Sequence, residues 1–385
     1  MAAVTLQILD RLKKGRPLLA SGRETSTVVG LLGWAVITLP FSYWPGGSFA
    51  TITELYSKTV VIFWLLGLTI DSVQRLSKVA WALSLMAIPL AYVGVSNYMS
   101  GNFMAGGYRR ITGYEGALTE NPNDLALMLN LITPLAIGLL ATHRKFLGKS
   151  VLLVVIAMNT AAVIYTRSRG GFLTIAAIWL FYAWKLTRRR KPGWPVAILI
   201  AALLCVPILP EGYLSRMNTI TNIEEDETGS AQGRWESMKA GTSFIIEHPV
   251  IGAGIGMNGL ALNDLVGATW HNVHNAYLEC GMDLGIPGLV LFITLTVSAF
   301  RATNLVCRRT AGVAGLNTLF HLGEGLQGSL CAFVVGASFA PVAYNFYFYY
   351  IAGLAVGARQ ALQAFGDPVA TGTPVSSGPG AKAST

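Results

Sequence analysis

The fold is decided by residues 150–185, which read SVLLVVIAMNTAAVIYTRSRGGFLTIAAIWLFYAWK. Two apolar runs flank a short polar connection, Thr166 to Gly171, that carries two arginines. With its flanking residues, each run approaches the roughly 20 apolar residues that a helix needs to cross a bilayer. The stretch therefore predicts two transmembrane helices, 150–166 and 168–185, joined by a tight turn.

The rest of the chain repeats this pattern. It is 53% hydrophobic and only 12% charged, and its mean hydropathy is +0.52. A soluble domain carries roughly twice that charged fraction. We predict an all-α polytopic membrane protein with about ten spans: 27–44, 57–72, 79–97, 122–141, 150–166, 168–185, 194–211, 284–302, 325–342 and 343–361. Tyr344 and Asn345 would then form the whole turn between the last two spans.

The loop charges predict the orientation. With both termini in the cytoplasm, 20 of the 28 Lys and Arg residues lie inside and 14 of the 19 Asp and Glu residues lie outside. This is the distribution of the positive-inside rule. The net charge of +9 is therefore explained by topology and anionic lipid, and gives no indication of a nucleic-acid partner.

Five segments follow from these spans. They are a basic cytoplasmic segment (1–26), a first membrane part (27–211), an external loop (212–283), a second membrane part (284–361) and a cytoplasmic tail (362–385). The external loop should hold a helix from Ser230 to Glu247. The glycines of the run 252–256 loosely resemble a nucleotide-binding loop, but no strand precedes them, so we interpret the run as a turn.

Arginines on the outer side are the first sign of function. Six of the eight outer cations are arginine: Arg109, Arg110, Arg167, Arg169, Arg216 and Arg234. The guanidinium fork suits phosphate. Ser168 should cap the helix that follows, leaving free amides that favour an anion. Binding to lipid headgroups or outer acids is the alternative, equally weighted for Arg109 and Arg110, whereas we favour function for Arg167 and Arg169.

Three of the five histidines, His248, His271 and His274, lie in the external loop. A neutral imidazole at His274, with an unperturbed pKa near 6.5, would take a proton from an attacking hydroxyl. His271 and His274 could instead bind a metal with Glu279 or Asp264, but we favour the general base. His248 and His271 could equally be interface histidines bonded to the backbone.

Several motifs in residues 100–300 resemble the O-antigen ligase and O-antigen polymerase family. The most specific is His-Asn at 274–275 followed, after nine residues, by Gly-x-x-Gly at 285–288. The others are Arg-x-x-x-Leu at 169–173, Gly-Arg-Trp at 233–235, His-Pro-x-x-Gly-x-Gly at 248–254 and Asn-Pro-Asn-Asp at 121–124. Each motif is weak alone, and their order on one face gives the resemblance its strength.

The resemblance implies a helical bundle of the membrane glycosyltransferase (GT-C-like) kind in the bacterial inner membrane. It implies an inverting, metal-independent transfer of glycan from a polyprenyl pyrophosphate carrier to an acceptor hydroxyl on the outer face. We expect His274, Arg169 and Arg234 to be catalytic. The residues expected to contact substrate are Arg167, Asn275, Arg109, Arg110, His271 and Glu279.

The acceptor stays open at this point. A ligase would use lipid A–core, a polymerase would use lipid-linked repeat units, and a protein glycosyltransferase would use a Ser or Thr hydroxyl. A transporter or flippase of lipid-linked or anionic solutes is the alternative outside the enzymes. It would call for inverted repeats and charges near the membrane midplane, whereas most ionisable residues here lie at span ends.

Overall fold

The computed structural model describes residues 2–13, 15, 17–104, 109–111, 113–114, 119, 121–189, 193, 196, 199–200, 203, 206–221, 230–267 and 272–366. Among these residues the secondary structure is helical, apart from one isolated bridge between Phe103 and Ile111. The helices up to the external loop are α1 (Ala2–Lys13), α2 (Arg23–Thr38), α3 (Pro45–Ala50), α4 (Ser57–Thr69), α5 (Val73–Met99), α6 (Pro122–Thr142), α7 (Phe146–Tyr165) and α8 (Arg169–Arg188). A π-helical segment, Thr51–Tyr56, joins α3 to α4.

The remaining helices belong to the external loop and to the second membrane part. They are α9 (Tyr213–Asn218), α10 (Ser230–Glu247), α11 (Asn258–Val266), α12 (Ala276–Thr310), α13 (Asn317–Gly336) and α14 (Phe346–Ala364). The helix α10 has the predicted bounds.

Seven helical segments of the described chain are long and apolar enough to cross a membrane. They confirm an all-α polytopic membrane protein. The last two predicted spans correspond to α13 and α14, which are 20 and 19 residues long. The predicted span 194–211 falls partly outside the described residues.

The centre of the bundle is α6, the most buried candidate span, with 72% of its apolar window inside the protein. It packs along α13 at close range, and glycines make this possible. A Cβ at Gly325 would lie 2.7 Å from the carbonyl oxygen of Pro134, and one at Gly138 would lie 2.7 Å from that of His321. Small residues that let backbones approach are the usual means of packing helices in lipid.

The predicted turn at Tyr344 and Asn345 is wrong. Helix α13 ends at Gly336 and α14 begins at Phe346, so residues 337–345 form a longer non-helical segment. Because the hydropathy of this segment stays high, the hydropathy along the sequence does not show where the helix ends. Pro341 lacks an amide hydrogen and disfavours helix at the residue before it.

Helix α12 is kinked near its start, at Gly285, where φ is 67°. The kink frees carbonyl groups that would otherwise lie inside the helix. The amide of Ala253 donates to the carbonyl of Met282 (2.8 Å), and that of Gly254 donates to the carbonyl of Asp283 (2.8 Å). The glycine turn 252–256 is therefore held against the kink by backbone hydrogen bonds, and we call this arrangement the clasp. It gives a structural reason for the glycines of the turn and for Gly285 at the kink.

The Asp283 side chain completes this clasp. It is fully buried, and its carboxylate accepts hydrogen bonds from the amides of Gly256 (2.8 Å) and Asn258 (2.7 Å). Its neighbour Leu284 accepts a hydrogen bond through its carbonyl from the indole of Trp34 in α2 (2.9 Å). The external loop is thus anchored on the same helix that carries His274 at its start.

The clasp predicts a large loss of stability for Gly252→Ala. The new Cβ would lie 2.4 Å from the carbonyl oxygen of Met282, at a residue whose φ is +72°. We expect a loss of about 2–5 kcal/mol from overpacking and backbone strain. Gly267→Ala is the matched control, because Gly267 has a φ of +64° but its new Cβ would have no atom within 4 Å; we expect a loss of about 1–2 kcal/mol there. Thermal unfolding in detergent measures both, and equal losses would contradict the clasp.

Candidate active site

The turn between α7 and α8 is built by its own side chains. Ser168 caps α8, since its hydroxyl accepts a hydrogen bond from the amide of Gly171 (3.1 Å), as predicted. Arg167 lies in the left-handed region with a φ of 51°, which costs an L-residue roughly 1–2 kcal/mol. Such strain at a non-glycine residue persists where surrounding structure imposes it, and it often marks a functional position.

The short helix α9 imposes this conformation. The Nε of Arg216 donates to the carbonyl of Arg167 (3.1 Å), and an Nη of Arg167 donates to the carbonyl of Glu211 (2.7 Å). Arg169 donates to the hydroxyl of Thr219 (2.9 Å), directly after α9. These contacts fix three guanidinium groups at the N-terminal end of α8.

Arg110, in the segment between α5 and α6, approaches the N-terminal end of α8 as well. One Nη donates to the side-chain oxygen of Asn123 (2.8 Å), while the buried Nε has no hydrogen-bond partner among the described residues. Burial, together with the charges of Arg216, Arg234 and Arg169, lowers the pKa of the Arg110 guanidinium to about 10. The positive charges of Arg216, Arg234 and Arg169 thus add to the effect of burial on Arg110.

We call Arg110, Arg167, Arg169, Arg216 and Arg234 the arginine cluster. Its fifth member, Arg234 on α10, lines a narrow cleft of about 10 Å³ beside the Ser168 turn. That volume is about the space of one water molecule. Cations that are held close together in this way form a binding site for an anion of more than one charge.

A second cavity, of about 220 Å³, lies next to the cleft. We call it the His274 cavity. Its lining combines polar and aromatic side chains and consists of Asn121, Asn123, Asp124, His274, Phe339, Ala340, Pro341, Asn345 and Tyr347. Asn123, Phe339 and Ala340 line both spaces. The cleft, to which the cluster contributes Arg234, and the His274 cavity therefore share these three residues.

His274 is held in one tautomer. Its Nδ1 lies 2.9 Å from the carbonyl oxygen of Asn272. A carbonyl accepts hydrogen bonds only, so Nδ1 must carry the hydrogen, and in the neutral ring the lone pair is then on Nε2. The half-buried imidazole thus has the form of a general base at the edge of a cavity.

Asn123 links the two spaces. Its side-chain oxygen accepts from Arg110 (2.8 Å) and from the hydroxyl of Ser168 (2.8 Å). The side chain is positioned by the start of α6, where Asn121 caps the helix through the amide of Asn123 (2.9 Å). The predicted helix start is therefore confirmed, and it has a second role in the geometry of the site.

Other predicted site residues lie elsewhere or have structural contacts. Arg109 is exposed, and its guanidinium lies 4.0 Å from the carboxylate of Glu211. Asn275 caps α12, accepting from the amides of Tyr277 (2.9 Å) and Leu278 (3.1 Å).

Glu279 is buried and is not among the residues that line the His274 cavity. Its carboxylate accepts from the amide of Ala343 (2.8 Å). His271 lies outside the described residues. Within the described part of the chain, no three His, Cys, Asp or Glu side chains come together as a metal site.

The sequence reasoning missed three parts of the site. Arg216 was seen as an outer cation but was not assigned to the site, although it is a central member of the cluster. For Asn123 and Asp124 of the Asn-Pro-Asn-Asp motif, the sequence favours a helix start, with contact to the acceptor glycan as a secondary possibility. The segment 337–345 was placed inside a span, and no local signal except Pro341 indicated that it lines a cavity.

Comparison with known proteins gives two matches. The sequence profile of the O-Antigen ligase family matches residues 151–293, which include the Ser168 turn, Arg216, Arg234 and His274. An O-antigen polymerase from Salmonella muenchen is 22% identical over 355 residues, covering 80% of this chain and 88% of that protein. Together these matches support the resemblance of the chain, an all-helical polytopic membrane protein, to the O-antigen ligase and O-antigen polymerase family.

Proposed function

We propose that this protein transfers a glycan from a polyprenyl pyrophosphate carrier to an acceptor hydroxyl, on the outer side of the bacterial inner membrane. Resemblance to the O-antigen ligase and polymerase family supports a glycosyl-transferring enzyme of surface polysaccharide biosynthesis. The donor, the stereochemistry and the sidedness are part of the proposal. The acceptor is lipid A–core for a ligase and a lipid-linked repeat unit for a polymerase.

One observation carries the proposal: the cleft lined by Arg234 and the His274 cavity share Asn123, Phe339 and Ala340, and Arg110 donates to Asn123 (2.8 Å). A transfer from a pyrophosphate requires an anion site and a base on opposite sides of one reacting carbon. The cluster supplies the first and His274 the second. Polar residues at the end of a membrane helix mark function more often than stability.

The chemistry assigns a role to each part. The acceptor oxygen bonds to the anomeric carbon while the bond from that carbon to the pyrophosphate oxygen breaks and its electron pair leaves with the phosphate. The acceptor proton passes to Nε2 of His274. Attack opposite the leaving group inverts the anomeric configuration.

The arginine cluster would stabilise the leaving group. Negative charge on the pyrophosphate grows as the bond breaks, so fixed cations stabilise the transition state more than the ground state. Arg169 and Arg234 would contact the phosphates, with Arg167, Arg110 and Arg216 around them. Guanidinium groups would then do what a divalent cation does elsewhere, and the reaction would need no metal.

The ends of α8 support the sidedness. Arg169 begins this 20-residue helix and Arg188 ends it, a rise of about 30 Å. At the far end, Lys185 donates to Gln327 (2.7 Å) and, with Arg189, pairs with the buried carboxylate of Glu324. That end carries the basic residues expected in the cytoplasm, which supports an outer position for the arginine cluster.

Deletion of the protein in its host tests the proposed function. We expect loss of surface glycan, rescue by wild type, and no rescue by His274→Ala or Arg169→Ala. Gels of the lipid-linked pool identify the acceptor: long polymer retained on the carrier indicates a ligase, whereas single repeat units in place of long chains indicate a polymerase. Full rescue by both variants, with the proteins present in the membrane at equal amounts, would rule out the proposed chemistry.

A further inference from the structure

The His274 cavity has the lining of a sugar site. Its polar lining comprises one carboxylate, Asp124, and three amides, Asn121, Asn123 and Asn345. Phe339 and Tyr347 add aromatic surface to the same cavity. A few polar groups on an apolar wall are typical of small-molecule sites, and carboxylates and amides offer the acceptors and donors that hydroxyl groups need.

Asp124 is the unexplained member of this lining. It is half-buried in the first turn of α6, and its carboxylate makes no hydrogen bond or ion pair with any described residue. A carboxylate accepts hydrogen bonds but donates none. Arg110 donates to the side-chain oxygen of the adjacent Asn123 and not to Asp124.

The position of the cavity relative to the arginine cluster decides which sugar it holds. In an inverting transfer the acceptor approaches from the face opposite the leaving pyrophosphate. The cleft that Arg234 lines and the cavity that His274 lines share Asn123, Phe339 and Ala340, so an anion in the cleft and an acceptor in the cavity would be neighbours. The base must touch the acceptor hydroxyl, and His274 lines the cavity, not the cleft.

We propose that the His274 cavity is the acceptor-sugar subsite and that Asp124 orients the acceptor by accepting hydrogen bonds from its hydroxyl groups. This inference rests on the proposed function, because it takes the arginine cluster as the pyrophosphate site. Asn345, at the start of α14, is the second anchor. Four of the cavity's residues, Phe339, Ala340, Pro341 and Asn345, come from the segment 337–345, so the turn between α13 and α14 is where acceptor choice would be set.

Steady-state kinetics with the purified full-length protein test this assignment. The donor is lipid-linked repeat unit extracted from the host, and the acceptor is a labelled soluble glycan of the same repeat, each varied at saturating levels of the other. For Asp124→Asn we expect the acceptor KM to rise about 10- to 100-fold, the value of hydrogen bonds to a charged group. The donor KM should change less than about twofold, well within the range of a non-contacting surface change.

Two further variants make the result interpretable. Asn345→Ala should also raise the acceptor KM, and it covers the case in which Asp124→Asn fails to fold. Glu247→Gln is the matched control, since this carboxylate is exposed and contacts Ser243 on its own helix (3.1 Å); both KM values should stay at wild type.

The possible results separate this inference from the proposed function. An unchanged acceptor KM in folded Asp124→Asn and Asn345→Ala, or an equal rise in donor KM, would overturn the acceptor subsite. Transfer by wild type in the same assay stands independently of that outcome. If wild type forms no product from the lipid-linked donor, the proposed function fails, and the acceptor assignment fails with it.

Discussion

Replacement of His274 by alanine is expected to lower the rate of glycan transfer by about 10²–10⁴-fold, the usual contribution of a general base. The carbonyl of Asn272 holds Nδ1–H, so the proton acceptor is Nε2. Loss of the imidazole removes that acceptor while the arginine cluster remains intact. Single-turnover rates with preformed lipid-linked donor measure the effect on the chemical step without the effect of product release.

His274→Asn separates the base from a structural role. The asparagine amide can keep the hydrogen bond to the carbonyl of Asn272, but it has no basic nitrogen. We expect this variant to be as slow as alanine and as stable as wild type. His248→Ala is the control, since His248 is exposed and stacks on Phe244 at 4.4 Å, and it should keep the wild-type rate. A rate for His274→Asn close to wild type would remove the base from the mechanism.

Much of the fold follows from local sequence because the lipid imposes it. Apolar runs such as 150–165 have no alternative to helix in a membrane, where every backbone group must bond internally. Caps are equally local: Asn121 and Ser168 each accept a hydrogen bond from an amide two or three residues later. The hydropathy of the sequence does not change at Gly336 and Phe346, so it does not indicate the helix ends there.

The site is less local. The outer arginines were recognisable, since the positive-inside rule disfavours them, but their convergence depends on α9, which turns Arg216 back onto the carbonyl of Arg167. No spacing rule predicts that contact. Asp124 shows the same limit, because a carboxylate in a first helical turn usually has only a capping role. Its place in the His274 cavity results from the packing of residues 337–345, far away in the chain.

Arg234→Ala tests the contribution of α10 to the arginine cluster. We expect transfer to fall by about 10²–10³-fold, as when one charge-stabilising donor is removed from an active site. Lys239→Ala is the control on the same helix: this lysine is exposed and lies 5.2 Å from the ring centre of Trp235, and both rate and melting temperature should stay near wild type.

Arg234→Lys should recover only part of the rate, because an ammonium group keeps the charge but loses the planar fork that matches phosphate. A variant that lost activity only in proportion to lost stability would make Arg234 a structural residue and leave the pyrophosphate site without its contact from the external loop.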